Sequence, residues 1–173
     1  MTLKQASQNS EIDERLGALL TNAAAVRAIA SAVEGTIGPK GLDTLLVDRF
    51  GEVIITNDGM TILTRMDVNH PAAKMVINTA RAQEEEVGDG TTTATIMAGA
   101  LLSEGVNQAV RGVPVTRLID GVVAGVKRSL EFVAEKAVKV DDVTDPIVHR
   151  VALVAGRGNK DIADLVCEAA KMV

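Results

Sequence analysis

The sequence has 173 residues, a net charge of −5, 47% hydrophobic and 24% charged residues, and a single cysteine. That balance describes a globular chain with enough apolar material for a core, and it argues against a general nucleic-acid binder, which needs a basic face to displace counterions from phosphates. Aromatics are confined to Phe50 and Phe132, so packing falls to Val, Ile, Leu, Ala and Met. No run of 18 continuous apolar residues occurs, and the polar start MTLKQASQNS lacks the apolar stretch of a secretion signal. Neither a membrane span nor export is therefore expected. Cys167, alone in the helical setting DLVCEAA, fits a reducing cytoplasm and reads as a buried structural thiol.

The first ten residues read as a loose or partner-bound extension. Leu16, Leu19, Leu20, Ala23, Val26, Ala30, Val33 and Ile37 then recur at helical steps, and Gly35, Gly38 and Pro39 end that helix. Two β-rich runs, TLLVD and EVIIT, joined through Asp48–Gly51, predict a small hairpin, and Asn57-Asp58-Gly59 after it reads as a turn. A helix is expected from Pro71 to about Val87, stopped by Gly88-Asp89-Gly90, and another from Thr91 to Arg111. Pro114 opens a helix with the face Leu118, Ile119, Val122, Val126, Leu130 and Val133. Pro146 starts a short helix, Gly156-Arg157-Gly158 interrupts, and a last helix covers Asp161–Val173. The fold class expected is mainly α with one small β-hairpin.

Several chemistries are excluded by the residues. Two histidines and one cysteine build no imidazole or thiolate metal site at standard spacing. There is no GxSxG elbow and no GxxxxGK[ST] loop, and Gly156-Arg157-Gly158 lacks the third glycine of a dinucleotide fingerprint. What remains are glycine-rich breaks beside helix ends. In GDGTTTATI the start of a helix offers unpaired N–H groups and a partial positive charge, three threonines add hydroxyls, and Asp89 suits Mg²⁺. GTIGPKG joins a freed backbone to Lys40. Each break taken singly is more often a plain cap, terminator or turn. Glu84-Glu85-Glu86 reads as a solvated patch.

TIGPKGLDTLLVD, VIITNDGMTIL, HPAAKM and EEEVGDGTTTATIMAGALL, in this order, resemble the signature segments of chaperonin equatorial domains. HPAAKM and GPKGLD are similar to the group II branch (thermosome and its eukaryotic counterparts) or the related bacterial group III form. The resemblance implies an ATP-dependent chaperonin subunit that binds ATP or ADP with Mg²⁺ and folds unfolded client proteins inside a homo- or hetero-oligomeric ring in the cytoplasm, without nucleic acid or membrane. By motif match Thr36, Ile37, Gly38 and Pro39 would line the nucleotide, and Gly90, Thr91, Thr92 and Thr93 would bind phosphate. Asp89 would hold Mg²⁺ and Asp58 would orient the attacking water. Gly156 and Arg157 would occupy the nucleotide-sensing loop, where many group II members carry lysine in place of Arg157. Residues 1–153 would be the amino-terminal part of the equatorial domain, and 154–173 the sensing loop and the start of the intermediate domain. The resemblance also implies that the apical domain, the lid and the returning half of the equatorial domain, with the family's second catalytic acid, are missing here. The chain as given is then expected to be inactive in turnover and to expose apolar surface. A different reading is a stand-alone nucleotide-binding or assembly module that does not hydrolyse ATP.

Overall fold

A computed structural model describes residues 3–172 apart from 39 and 49, with side chains described from Leu16 onward. It divides into two compact units, Met1–Val123 and Ala124–Val173.

The first unit is organised around α1 (Leu3–Glu34). Its start overturns the expected loose extension: from Leu3 on, the residues before Leu16 are mostly good helix formers, with neither Gly nor Pro to stop the helix running back. One face, Ala23, Val26, Ile29, Ala30 and Val33, is buried. Leu16–Glu34, with a mean hydropathy of 1.5, is long and apolar enough to cross a membrane by length and composition. Here its apolar side packs on neighbouring helices instead, as the core helix of a folded unit does. After α1 the chain folds back on itself, with Leu42 N–H donating to Gly35 O at 2.9 Å and Gly41 N–H to Gly38 O at 2.9 Å.

Strands β1 (Thr44–Val47) and β2 (Val53–Thr56) form the expected hairpin, antiparallel with Leu45 opposite Ile55 and Leu46 opposite Ile54. Alternation decides the two faces: Leu46 packs on the core, whereas Leu45, Val47, Val53 and Ile55 are exposed. The turn is held by Asp48, whose Oδ1 accepts from the N–H groups of Phe50 and Glu52 at 2.8 and 2.9 Å.

Helix α2 (Gly59–Arg65) follows at once, where only a turn was expected. Seven residues are too few to stand alone as a helix in water. This helix holds because Ile62 and Leu63 are almost fully buried, each contributing about 1.5–3 kcal/mol. Helices α3 (Pro71–Val87) and α4 (Thr91–Val110) keep the boundaries expected to within a residue. The core gathers Ile29, Val33, Met60, Ile62, Leu63, Ala73, Ile77 and Ala80 from α1, α2 and α3. Over the first half of α4 the buried residues are small, Thr91, Thr95 and Gly99, which brings α1 close: a Cβ on Gly99 would lie 2.6 Å from that of Ala30.

Helix α5 (Val115–Lys136) buries no residue. Its apolar face, including Ile119, Val122, Val126, Leu130 and Val133, is exposed, and in the first unit an apolar groove of about 350 Å³ runs between α1, α4 and the start of α5.

In the second unit α6 (Pro146–Ala155) and α7 (Lys160–Ala170) pack on each other. Helix α7 ends before the expected Val173, which lies outside the described residues. Cys167 is buried and free. His149 Nε2 and Asp164 Oδ1 stand 2.7 Å apart and tie the two helices together.

Candidate functional site

Five described helices have an N-cap whose side-chain bonding decides what their first turn can still bind. Helix α2 is closed by Asp58: its Oδ2 accepts from Thr61 N–H at 2.7 Å and from Thr61 Oγ1 at 2.6 Å. Asp145 and Asn159 close α6 and α7 in the same way, accepting from Ile147 and Ile162 N–H at 2.9 and 3.2 Å. Helices α3 and α4 have no such bond; in α3 the N-cap is His70 and the first helical residue, Pro71, has no N–H, whereas α4 begins with three residues that all carry one. The N-cap of α4 is Gly90, in the left-handed region at φ 82°, with no side chain to offer. The N–H groups of Thr91, Thr92 and Thr93 therefore have no acceptor among the described residues. Such groups, aligned with the positive end of the helix dipole, form an anion-binding end.

The segment before α4 is built by glycine conformation. Gly88 ends α3 at φ 75°, and Gly90 follows at φ 82°, both values that an L side chain rarely adopts. Between them Asp89 Oδ1 accepts from Gly90 N–H at 2.7 Å. Its second carboxylate oxygen has no protein donor among the described residues. The three threonines are not equivalent: Thr91 is buried, Thr92 half-buried and Thr93 exposed. Sequence reasoning missed Gln83, on α3, whose Nε2 donates to Asp89 O at 2.9 Å. No spacing rule in the sequence points to it.

Two contacts bring the chosen segments together. A Cβ on Gly59 would overlap Thr92 Oγ1 and lie 3.2 Å from Thr92 Cβ, so the start of α2, with Asp58, sits directly on the first turn of α4. Asn57 Nδ2 donates to Asp43 Oδ1 at 2.8 Å, which ties the same turn to the end of the GTIGPKGLD loop. In that loop Thr36 is buried and its hydroxyl donates to Val33 O at 2.8 Å, whereas Ile37 and Gly38 are exposed. Gly41 is required by the fold-back, since a Cβ there would run into the Thr36 carbonyl. Pro39 lies outside the described residues.

Gly156 and Arg157 belong to the second unit. They form the turn between α6 and α7, closed by Gly158 N–H donating to Leu153 O at 2.8 Å. Arg157, at φ 53°, is the one non-glycine among the described residues with a positive φ. Two carboxyls are held below their usual range: Glu104 by the side-chain amides of Gln108 and then Asn107, and Asp142 by the main-chain N–H and then the hydroxyl of Thr144. Neither was chosen as a site residue.

Among the described residues no group of three or more His, Cys, Asp or Glu side chains is placed to hold a metal ion by itself. Mg²⁺ does not need one, because it commonly takes one or two carboxylates and completes its shell with water and substrate phosphate oxygens. A single open carboxylate oxygen on Asp89, next to an anion-binding helix end, fits that pattern.

Residues 29–173 match the TCP-1/cpn60 chaperonin family. The chain belongs to that family. Among its chaperonin relatives, it is 41% identical over 158 residues to the thermosome subunit beta of Archaeoglobus fulgidus, covering 88% of this chain and 29% of the relative. To the thermosome subunit alpha of Thermoplasma acidophilum it is 40% identical over 179 residues, covering 100% of this chain and 32% of the relative. A crystal structure of a group III chaperonin in the open state superposes with a TM-score of 0.83 at 54% identity, over 93% of this chain and 33% of that one. The chaperonin fold expected from the sequence is thus present, and the chain spans about a third of the length of these chaperonins.

Proposed function

We propose that this chain is the nucleotide-binding part of an ATP-driven chaperonin subunit, whose complete form works in a ring with other subunits, homo- or hetero-oligomeric, on unfolded protein clients in the cytoplasm. The observation that carries this reading is the uncapped first turn of α4, with Asp89 beside it and Asp58 packed against it. The N–H groups of Thr91, Thr92 and Thr93 receive phosphate oxygens, and the exposed Thr93 hydroxyl adds a donor. Thr36, Ile37, Gly38 and Pro39 approach the nucleotide from the other loop through main chain, because the Thr36 hydroxyl is already engaged. Asp89 holds Mg²⁺, which when bound neutralises phosphate charge. Asp58 orients water with the carboxylate oxygen that Thr61 leaves open. Gly156 and Arg157 keep the nucleotide-sensing role that the family resemblance implies. Residues 1–153 then serve as equatorial-domain sequence and 154–173 as the way into the intermediate domain.

Calorimetric titration of ATP into the chain, with and without Mg²⁺, tests the reading. The wild type binds more tightly with Mg²⁺, and Asp89→Ala loses that gain, about tenfold or more for a metal carboxylate. An Asp89→Ala variant with the same Mg²⁺ dependence as wild type makes Asp89 a structural residue and removes the metal assignment.

A further inference from the structure

The Asp89–Gly90 peptide stands between two left-handed glycines, Gly88 at φ 75° and Gly90 at φ 82°. Turning this peptide over changes ψ of Asp89 and φ of Gly90, and glycine, with no Cβ, leaves the second of these rotations open to both signs. A turned peptide would move the first N–H groups of α4 and re-aim the Asp89 carboxylate. In the structure both ends of this one peptide are engaged. Its N–H, that of Gly90, donates to Asp89 Oδ1 at 2.7 Å, and its carbonyl, that of Asp89, accepts from Gln83 Nε2 at 2.9 Å. The first bond is local and moves with the loop. The second reaches back to the last two turns of α3, a helix anchored in the core through Ala73, Ile77 and Ala80. The Gln83 amide also lies against Gly90, where an added Cβ would be 3.4 Å from Nε2.

We infer that Gln83 is a positioning residue, which latches the Asp89–Gly90 peptide to α3 and so keeps the Asp89 carboxylate and the open N–H groups of α4 aimed at one Mg²⁺-bound phosphate. This rests on the nucleotide reading above and adds to it the residue that pre-organises the loop. Glutamine suits the task because the loop presents a carbonyl, which needs a donor. Glutamate has the same shape but at neutral pH can only accept, and methionine fills the space without donating.

The test compares Gln83→Met and Gln83→Glu with wild type in the whole chain. Hydrogen exchange without nucleotide reads the latch directly: the Gly90 amide exchanges faster in both variants, while core amides of α3 and α4 and the melting temperature stay as in wild type. Titration with ATP reads the consequence. With Mg²⁺ the variants bind about three- to tenfold more weakly, the range of one neutral hydrogen bond, and without Mg²⁺ the loss is smaller, because the Asp89 carboxylate then has no metal to hold. Unchanged Gly90 exchange overturns the latch. Faster exchange with full Mg²⁺-dependent affinity overturns the positioning role, as does an equal loss with and without Mg²⁺, which a merely structural residue would give. A wild-type chain that binds no ATP overturns the nucleotide reading, and the exchange result then still decides whether Gln83 holds the peptide.

Discussion

Two turns in this molecule share the dipeptide Asp-Gly, and they do opposite things. At Asp58-Gly59 the aspartate is itself the N-cap of α2, and its carboxylate closes the first turn through Thr61. At Asp89-Gly90 the register is one residue later: glycine is the N-cap of α4, the aspartate stands outside the helix, and the first N–H groups stay open. What separates them is the backbone at the cap, extended for Asp58 at φ −74° and left-handed for Gly90 at φ 82°. A capped start is a structural joint, and an uncapped one is a place for an anion. The packing of Gly59 against Thr92 then puts the joint beside the open end, so one turn supports the other.

The packing is the part of this comparison most easily broken. Gly59→Ala drives a Cβ into Thr92 Oγ1, and a short threonine in a half-buried place has little room to yield. Chemical denaturation should show a loss of about 1–3 kcal/mol, the usual cost of overpacking. Adding Thr92→Ala removes the colliding oxygen and should return part of that loss. Equal stabilities for Gly59→Ala in both backgrounds would mean that the two turns are not coupled through this contact.

A smaller effect is expected at the cap itself. Asp58→Ala leaves Thr61 N–H without its acceptor and should cost about 1 kcal/mol of stability. Asp58→Asn, an equally good cap, should cost only about a few tenths. Both variants remove the carboxylate charge, so both should slow phosphate release in a complete subunit while nucleotide affinity is retained. The pair separates the two duties of this side chain. If Asp58→Asn turns over as fast as wild type, Asp58 is a cap and nothing more.

The sequence and the structure agree best where local signals are strong. Proline at the first turn of α3 and the glycines after it mark that helix, and two short runs rich in β-branched residues and leucine mark the hairpin. The run before Leu16 misled because polarity resembles disorder, although residues such as Leu3, Lys4, Gln5 and Ala6 propagate a helix readily. Helix α2 was hidden for the opposite reason. Asn57-Asp58-Gly59 has turn chemistry, and only tertiary burial of Ile62 and Leu63 turns seven residues into a helix. At the site, Asp58, Asp89 and the three threonines were legible as types in a pattern. Which aspartate caps and which stays outside was not, because that depends on φ at Gly90, a property fixed by packing rather than by the dipeptide. The role of Gln83 was equally invisible, since a side chain reaching six residues onward obeys no helical spacing.

The claim at the centre is that the open start of α4, and not a capped one, receives the phosphates. Backbone amide resonances followed during an ATP titration with Mg²⁺ test it most directly, because the capped start of α6, with Ile147 N–H held by Asp145, is an internal control. Saturating shifts are expected at Gly90, Thr91, Thr92 and Thr93 that weaken when Mg²⁺ is removed, with Ile147 unmoved. Shifts of similar size at Ile147, or none at Thr91–Thr93 when ATP is bound, would contradict that claim.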